Sequence, residues 1–157
     1  MASSRWRGVI LVLILLSGCR DSDWAAVQRV SIGGQIFSLD LALDDATRFQ
    51  GFSNRSSIPA DVGLLFVWPT ATNRAMVMRR CLVPIDLIFL GPNGRIVSMH
   101  RMSVEPYETA EADLRRYESR WPVQFAIELR GGTIDQLDLE PGHQLDLPVK
   151  VLKQRAH

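Results

Sequence analysis

Short runs of strand-forming residues, each closed by proline or glycine, constrain this chain more than any other feature. "GLLFVW" (63–68), "RAMVM" (74–78), "IDLIFL" (85–90) and "VQFAIEL" (123–129) are dense in aliphatic, aromatic and β-branched residues and have the length of strands rather than helices. Pro59, Pro69, Pro84 and Pro92 punctuate them; proline lacks a ladder donor and so marks strand ends. In "VQRVSIGGQIFSLDLAL" (27–43) two extended runs flank Gly33-Gly34, a pair suited to the positive φ of a hairpin turn. Phe37, Leu39, Leu41 and Leu43 then alternate, which makes one strand face apolar. "GPNGR" (91–95) is a turn signal joining 85–90 to "RIVSMHRMSV" in a second hairpin.

Helical signals are few. Asp44 and Asp45 can cap "ATRFQ", with Gly51 as its left-handed exit. In "TAEADLRRYESRW" (109–121), Ala110, Leu114, Tyr117 and Trp121 recur at helical spacing, with acids early and arginines late; a charged surface loop is the alternative. Thr133 and Gln136 stand at capping-box spacing, and "LDLPVKVL" (145–152) reads as the last strand. The fold expected is mainly β: one compact barrel- or sandwich-like domain over residues 27–157 with two or three short helices.

The N-terminus reads as an address. Arg5 and Arg7 precede the apolar run Val9 to Leu16, which is far short of the roughly 20 residues a bilayer-spanning helix needs but suits a secretory signal. "LSGC" (16–19) resembles the bacterial lipobox, which implies cleavage after residue 18, lipidation of Cys19 and a membrane anchor through its acyl chains. Residues 19–26 would then be a lipidated tether. Arg20 is not the aspartate associated with inner-membrane retention, so the expected location is the cell envelope, on the periplasmic face of the outer membrane. The chain carries a formal charge of +1, which becomes −1 once Arg5 and Arg7 are removed. Such a balance gives no general attraction to nucleic acid. Of the two cysteines, Cys81 alone would remain as a thiol, without an intramolecular disulfide partner, and reads as a small buried hydrophobe.

Four blocks together resemble the domain-of-unknown-function 192 family. They are "RFQGFSNR", which keeps Arg48, Gly51 and Arg55; "GLLFVW"; "MVMRRCLVPID", from Met76 to Asp86; and "AIELRGGTIDQLDLEPGHQ". The family hallmark, Phe-Trp-Met-Lys-Asn-Thr followed two residues later by Pro-Leu-Asp, is altered here: tryptophan is Val77, lysine Arg79, asparagine Arg80 and threonine Cys81. A later Gly-Asp is Gly142-His143. The resemblance implies a small β-barrel-like domain with minor helices and almost nothing about biochemistry.

Within these blocks Asp86 interrupts an apolar strand, and a buried carboxylate needs a partner. Arg79 and Glu128 are the candidates, and with Arg48 they make a candidate polar cluster that is either a structural ion-pair group or a site for a ligand's carboxylate or phosphate. The favoured function is a non-catalytic envelope lipoprotein whose β-domain binds an envelope protein or small anionic ligand. The alternative is an envelope hydrolase using Asp86 and Glu128 as acid and base. No cofactor is implied, since the chain has no Gly-rich phosphate loop, no Gly-x-Ser-x-Gly elbow and no metal-ligand spacing among His100, His143 and His157. Trp24, Tyr107 and Trp121 are candidate exposed aromatics for a partner surface.

Overall fold

The computed structural model describes residues 27–157. The expected signal peptide, Cys19, the tether and Trp24 lie outside the described residues. In chain order the strands are β1 (Val27–Ile32), β2 (Gln35–Ala42), β3 (Val62–Thr72), β4 (Ala75–Met76), β5 (Ile85–Leu90), β6 (Ile96–Met102), β7 (Tyr117–Glu118) and β8 (Val123–Arg130). Helix α1 (Asp45–Gln50) follows β2, and α2 (Val149–Arg155) ends the chain.

Six strands form one sheet in the order β1-β2-β3-β8-β5-β6, and β4 pairs with β7 in a separate ribbon. Only β2 and β3 run parallel; the other neighbours in the large sheet are antiparallel. That parallel pair needs a crossover, which α1 and the following loop supply. Both expected hairpins are present: β1–β2 turns on Gly33 and Gly34, at φ 54° and 80°, and β5–β6 turns through residues 91–95. Asp44 caps α1 reciprocally with Thr47, and Gly51 closes it at φ 47°.

The fold is mainly β, as the sequence predicts, and the sheet stays open, with β1 and β6 at its edges. Each face carries its own core. On one face Phe37, Leu39, Leu65, Val67, Ile88, Ile127 and Leu129 pack beneath Ile134, Leu137, Leu145, Leu147 and Leu152. On the other, Leu64, Phe66, Leu87, Phe89 and Ala126 pack beneath Phe52, Ile58, Met78, Cys81 and Tyr117. Central strands buried on both faces explain why 63–68, 85–90 and 123–129 read as nearly continuous apolar runs.

Four local expectations are corrected. Residues 145–152 do not form a strand: after a single bridge between Arg95 and Gln144, Leu145 and Leu147 pack on the first core and the chain becomes α2. Residues 109–121 form no α-helix, because Tyr117 pairs with Met76 in the ribbon and only a 3-10 turn, Glu111–Asp113, survives of the helical pattern. Of 74–78, only Ala75 and Met76 are paired as strand. Thr133 does not cap the 3-10 turn Ile134–Gln136 through its side chain; its hydroxyl donates to the Arg130 carbonyl instead.

Candidate functional site

Alternation along β5 and β8 sets the polar groups of the central sheet on opposite faces. Asp86 lies opposite Leu129, whereas Glu128 lies opposite Leu87 and Leu64. Asp86 therefore shares the face of Ile88 and Leu129, and Glu128 shares that of Leu87 and Ala126. The four-residue cluster expected from the sequence is thus split: Arg48, Arg79 and Glu128 line one cavity, and Asp86 is absent from it. The acid–base pair of the hydrolase alternative does not form, because the sheet stands between its members.

Asp86 is only 1% exposed, and its Oδ2 accepts the Ile134 backbone N–H at 2.7 Å. It thereby supplies the cap to the 3-10 turn that Thr133 was expected to supply. Arg101, opposite Asp86 on β6, is hydrogen-bonded to Asp135 of that turn. This carboxylate ties the turn to the sheet.

Glu128 is the unusual group. The residue is 4% exposed, yet its Oε2 is buried without a hydrogen-bond partner among the described residues. The carboxylate accepts the Phe52 backbone N–H, but burial dominates and pushes its pKa up to about 8. At neutral pH it is mainly a neutral carboxylic acid with a proton to donate. Gly51 lies beside it: a Cβ there would meet Oε2 at 3.5 Å, an ordinary contact, so φ of 47° and not lack of space is what disfavours other residues.

The cavity Glu128 faces measures about 170 Å³, with Phe52, Phe66, Met76 and Cys81 among its walls. Arg79 stands at its rim. Its guanidinium lies 3.4 Å from the Phe49 ring centroid, donates to the Phe49 carbonyl and pairs with Glu111 at 3.0 Å. Arg48 uses its fork structurally, donating to the carbonyls of Val67 and His157, each at 2.8 Å, and to Asp45 at 2.7 Å. Both arginines therefore contribute positive charge near the cavity from fixed positions. Cys81, read as a buried hydrophobe, is buried and free. Its thiol contacts the Arg79 carbonyl at 3.6 Å, and burial, then the neighbouring Glu128, pushes its pKa up to about 12.

Sequence reasoning missed the cavity's other contributors, Phe49, Gly51, Phe52 and Glu111. The first three lie in "RFQGFSNR", so the block was the available signal; Glu111 had none. His100 is half-buried, with Nε2 2.9 Å from the Glu118 carbonyl. Among the described residues no group of three or more His, Cys, Asp or Glu side chains is placed to hold a metal. Tyr107 and Trp121 are exposed, as expected.

Two crystal structures resemble this fold. A proposed transcription regulator from Sinorhizobium meliloti is 28% identical, with a TM-score of 0.64 over 75% of this chain and 89% of its own. A protein of unknown function from Novosphingobium aromaticivorans is 21% identical, with a TM-score of 0.67 over 77% of this chain and 85% of its own. No curated protein matches the chain. Residues 28–147 match the DUF192 family, described as Uncharacterized ACR, and the chain belongs to that family.

Proposed function

We propose that this chain is a non-catalytic, envelope-anchored lipoprotein whose β-domain binds a small anionic ligand in the Glu128 cavity. The observation that carries the binding reading is the buried, unpartnered Oε2 of Glu128. A buried polar atom left unsatisfied costs about 1–3 kcal/mol, and a ligand oxygen that accepts its proton would remove that cost. An acceptor of negative charge fits best, since a carboxyl group donating to a carboxylate makes a short, charge-assisted hydrogen bond. Arg48 and Arg79 also line the cavity, each with a carboxylate partner, Asp45 and Glu111. The cavity is smaller than the roughly 300–1,000 Å³ typical of drug-sized ligands, so the bound group is small. Anchoring rests on the sequence of residues 9–19. The rim arginines are paired with Asp45 and Glu111, which favours a small anion over a nucleic-acid backbone at this cavity.

Acetate titrations of the full-length protein, followed through the Phe52 amide resonance, test this reading. Acetate should shift the signal at pH 6, with affinity falling about tenfold per unit above pH 8 as Glu128 loses its proton. Glu128→Gln keeps a donor and should bind with a flat pH profile, while Glu128→Leu should not bind. No response at any pH, or equal binding by Glu128→Leu, would overturn the proposal.

A further inference from the structure

The Glu128 cavity does not end at its rim. A second cavity, of about 360 Å³, adjoins it and shares Phe49, Arg79 and Glu111 as a common wall. Two exposed rings border this outer space, Phe49 at 63% and Tyr107 at 45% exposure. Each is faced by a guanidinium: Arg79 at 3.4 Å from the Phe49 centroid and Arg80 at 5.6 Å from that of Tyr107. The Tyr107 hydroxyl donates to Asn54 at 2.8 Å, which fixes the ring's position. Glu108 and Thr109 complete the lining with donors and acceptors.

The inner space is too small for more than a head group, and among the described residues lining it Glu128 Oε2 is the buried polar atom left without a hydrogen-bond partner. The outer space offers what a flat, polar chain needs: ring and guanidinium faces to lie against, and both signs of hydrogen-bonding group at the edges. A peptide plane is flat and carries one donor and one acceptor, whereas a hydrocarbon tail would leave Arg80 and Glu108 unused. Capture of a terminal carboxylate in an inner pocket, with the preceding residues outside, is an established mode of peptide recognition.

From this juxtaposition we infer that the ligand class is a short peptide with a free C-terminal carboxylate, its terminal group at Glu128 and its preceding peptide plane between Phe49 and Tyr107. The inference rests on the anion-binding reading of the Glu128 cavity and specifies what extends from the anion. Arg79 has a positioning role: stacked on Phe49 and paired with Glu111, it holds the wall between head and chain.

Calorimetry or resonance titration of the full-length protein with acetate, glycyl-alanine and glycyl-alanine amide tests the inference. Glycyl-alanine should bind at least tenfold tighter than acetate, and its amide at least tenfold weaker than the free acid. Tyr107→Ala, which alters an exposed ring, should erase the dipeptide's advantage and leave acetate affinity unchanged. Equal affinity for acetate and glycyl-alanine would refute the peptide assignment while the anion site stands. Equal binding of acid and amide would refute carboxylate capture, and no binding of acetate or dipeptide would remove the underlying reading as well.

Discussion

The backbone amide of Asn54 donates to the carbonyl of Arg80 at 2.8 Å, and both residues sit in the left-handed region, at φ 63° and 51°. This contact joins the loop after α1 to the loop before β5, and the Ser53 hydroxyl reinforces it by donating to the Arg79 carbonyl at 2.8 Å. The Glu128 cavity is built between these loops. Asparagine tolerates the left-handed region far better than arginine, and the family hallmark has asparagine where this chain has Arg80.

Arg80→Asn should therefore raise stability, by about 1 kcal/mol, the scale of the left-handed penalty it relieves. Denaturant midpoints of the two proteins check this. A loss of stability would show that the Arg80–Tyr107 contact outweighs the backbone strain.

Glu128 makes stability depend on pH in a defined direction. Its folded pKa is raised from 4.5 to about 8, so the native state holds a proton that the unfolded state releases. Stability is full below about pH 4.5, falls by up to about 1.4 kcal/mol per pH unit as pH rises toward 8, and levels above it. Glu128→Gln should flatten this slope and be the more stable protein at pH 8. Urea melts between pH 5 and 9 measure both curves.

Asp86 acts on the opposite face, so its loss is a separate event. Asp86→Ala strands the buried Ile134 N–H and should cost about 1–3 kcal/mol, while Asp86→Asn keeps an acceptor and should cost less. Because Asp86 and Glu128 share no partner, Asp86→Ala combined with Glu128→Gln should be additive within about 0.5 kcal/mol. A larger coupling in a double-mutant cycle would contradict the two-face arrangement.

Cys81 should be unreactive in the native protein, since burial and Glu128 hold its thiol in the protonated form, with a pKa near 12. A thiol reagent at pH 8 should label it only at the rate of unfolding. Reductant should leave the melting temperature unchanged.

On the proposed lipobox reading of "LSGC", labelled fatty acid should enter the wild-type protein and not Cys19→Ala. Equal labelling of both, or a mature N-terminus at another residue, refutes the lipid anchor. Membrane fractionation then tests the outer-membrane assignment drawn from Arg20.

What the sequence determined is local. Turn chemistry at Gly33-Gly34 and at 91–95, the Asp44 cap with the Gly51 exit, and the apolar runs of the central strands each depend on a few adjacent residues, and each is present in the structure. The block containing Arg48 and Gly51 likewise pointed to the cavity. The tertiary structure decided the rest. A carboxylate's face follows from strand phase and register, so Asp86 and Glu128 could be matched in sequence blocks and still be separated by the sheet. Residues 145–152 alternate like a strand, but they lie over a sheet face and not beside an edge. There the chain finds no continuous ladder to join, and α2 satisfies its backbone internally while Leu152 still reaches the core. Conversely, Tyr117 left its helical spacing because Met76, distant in sequence, offered a strand partner and a buried site, and long-range pairing with burial outweighs a weak helical preference.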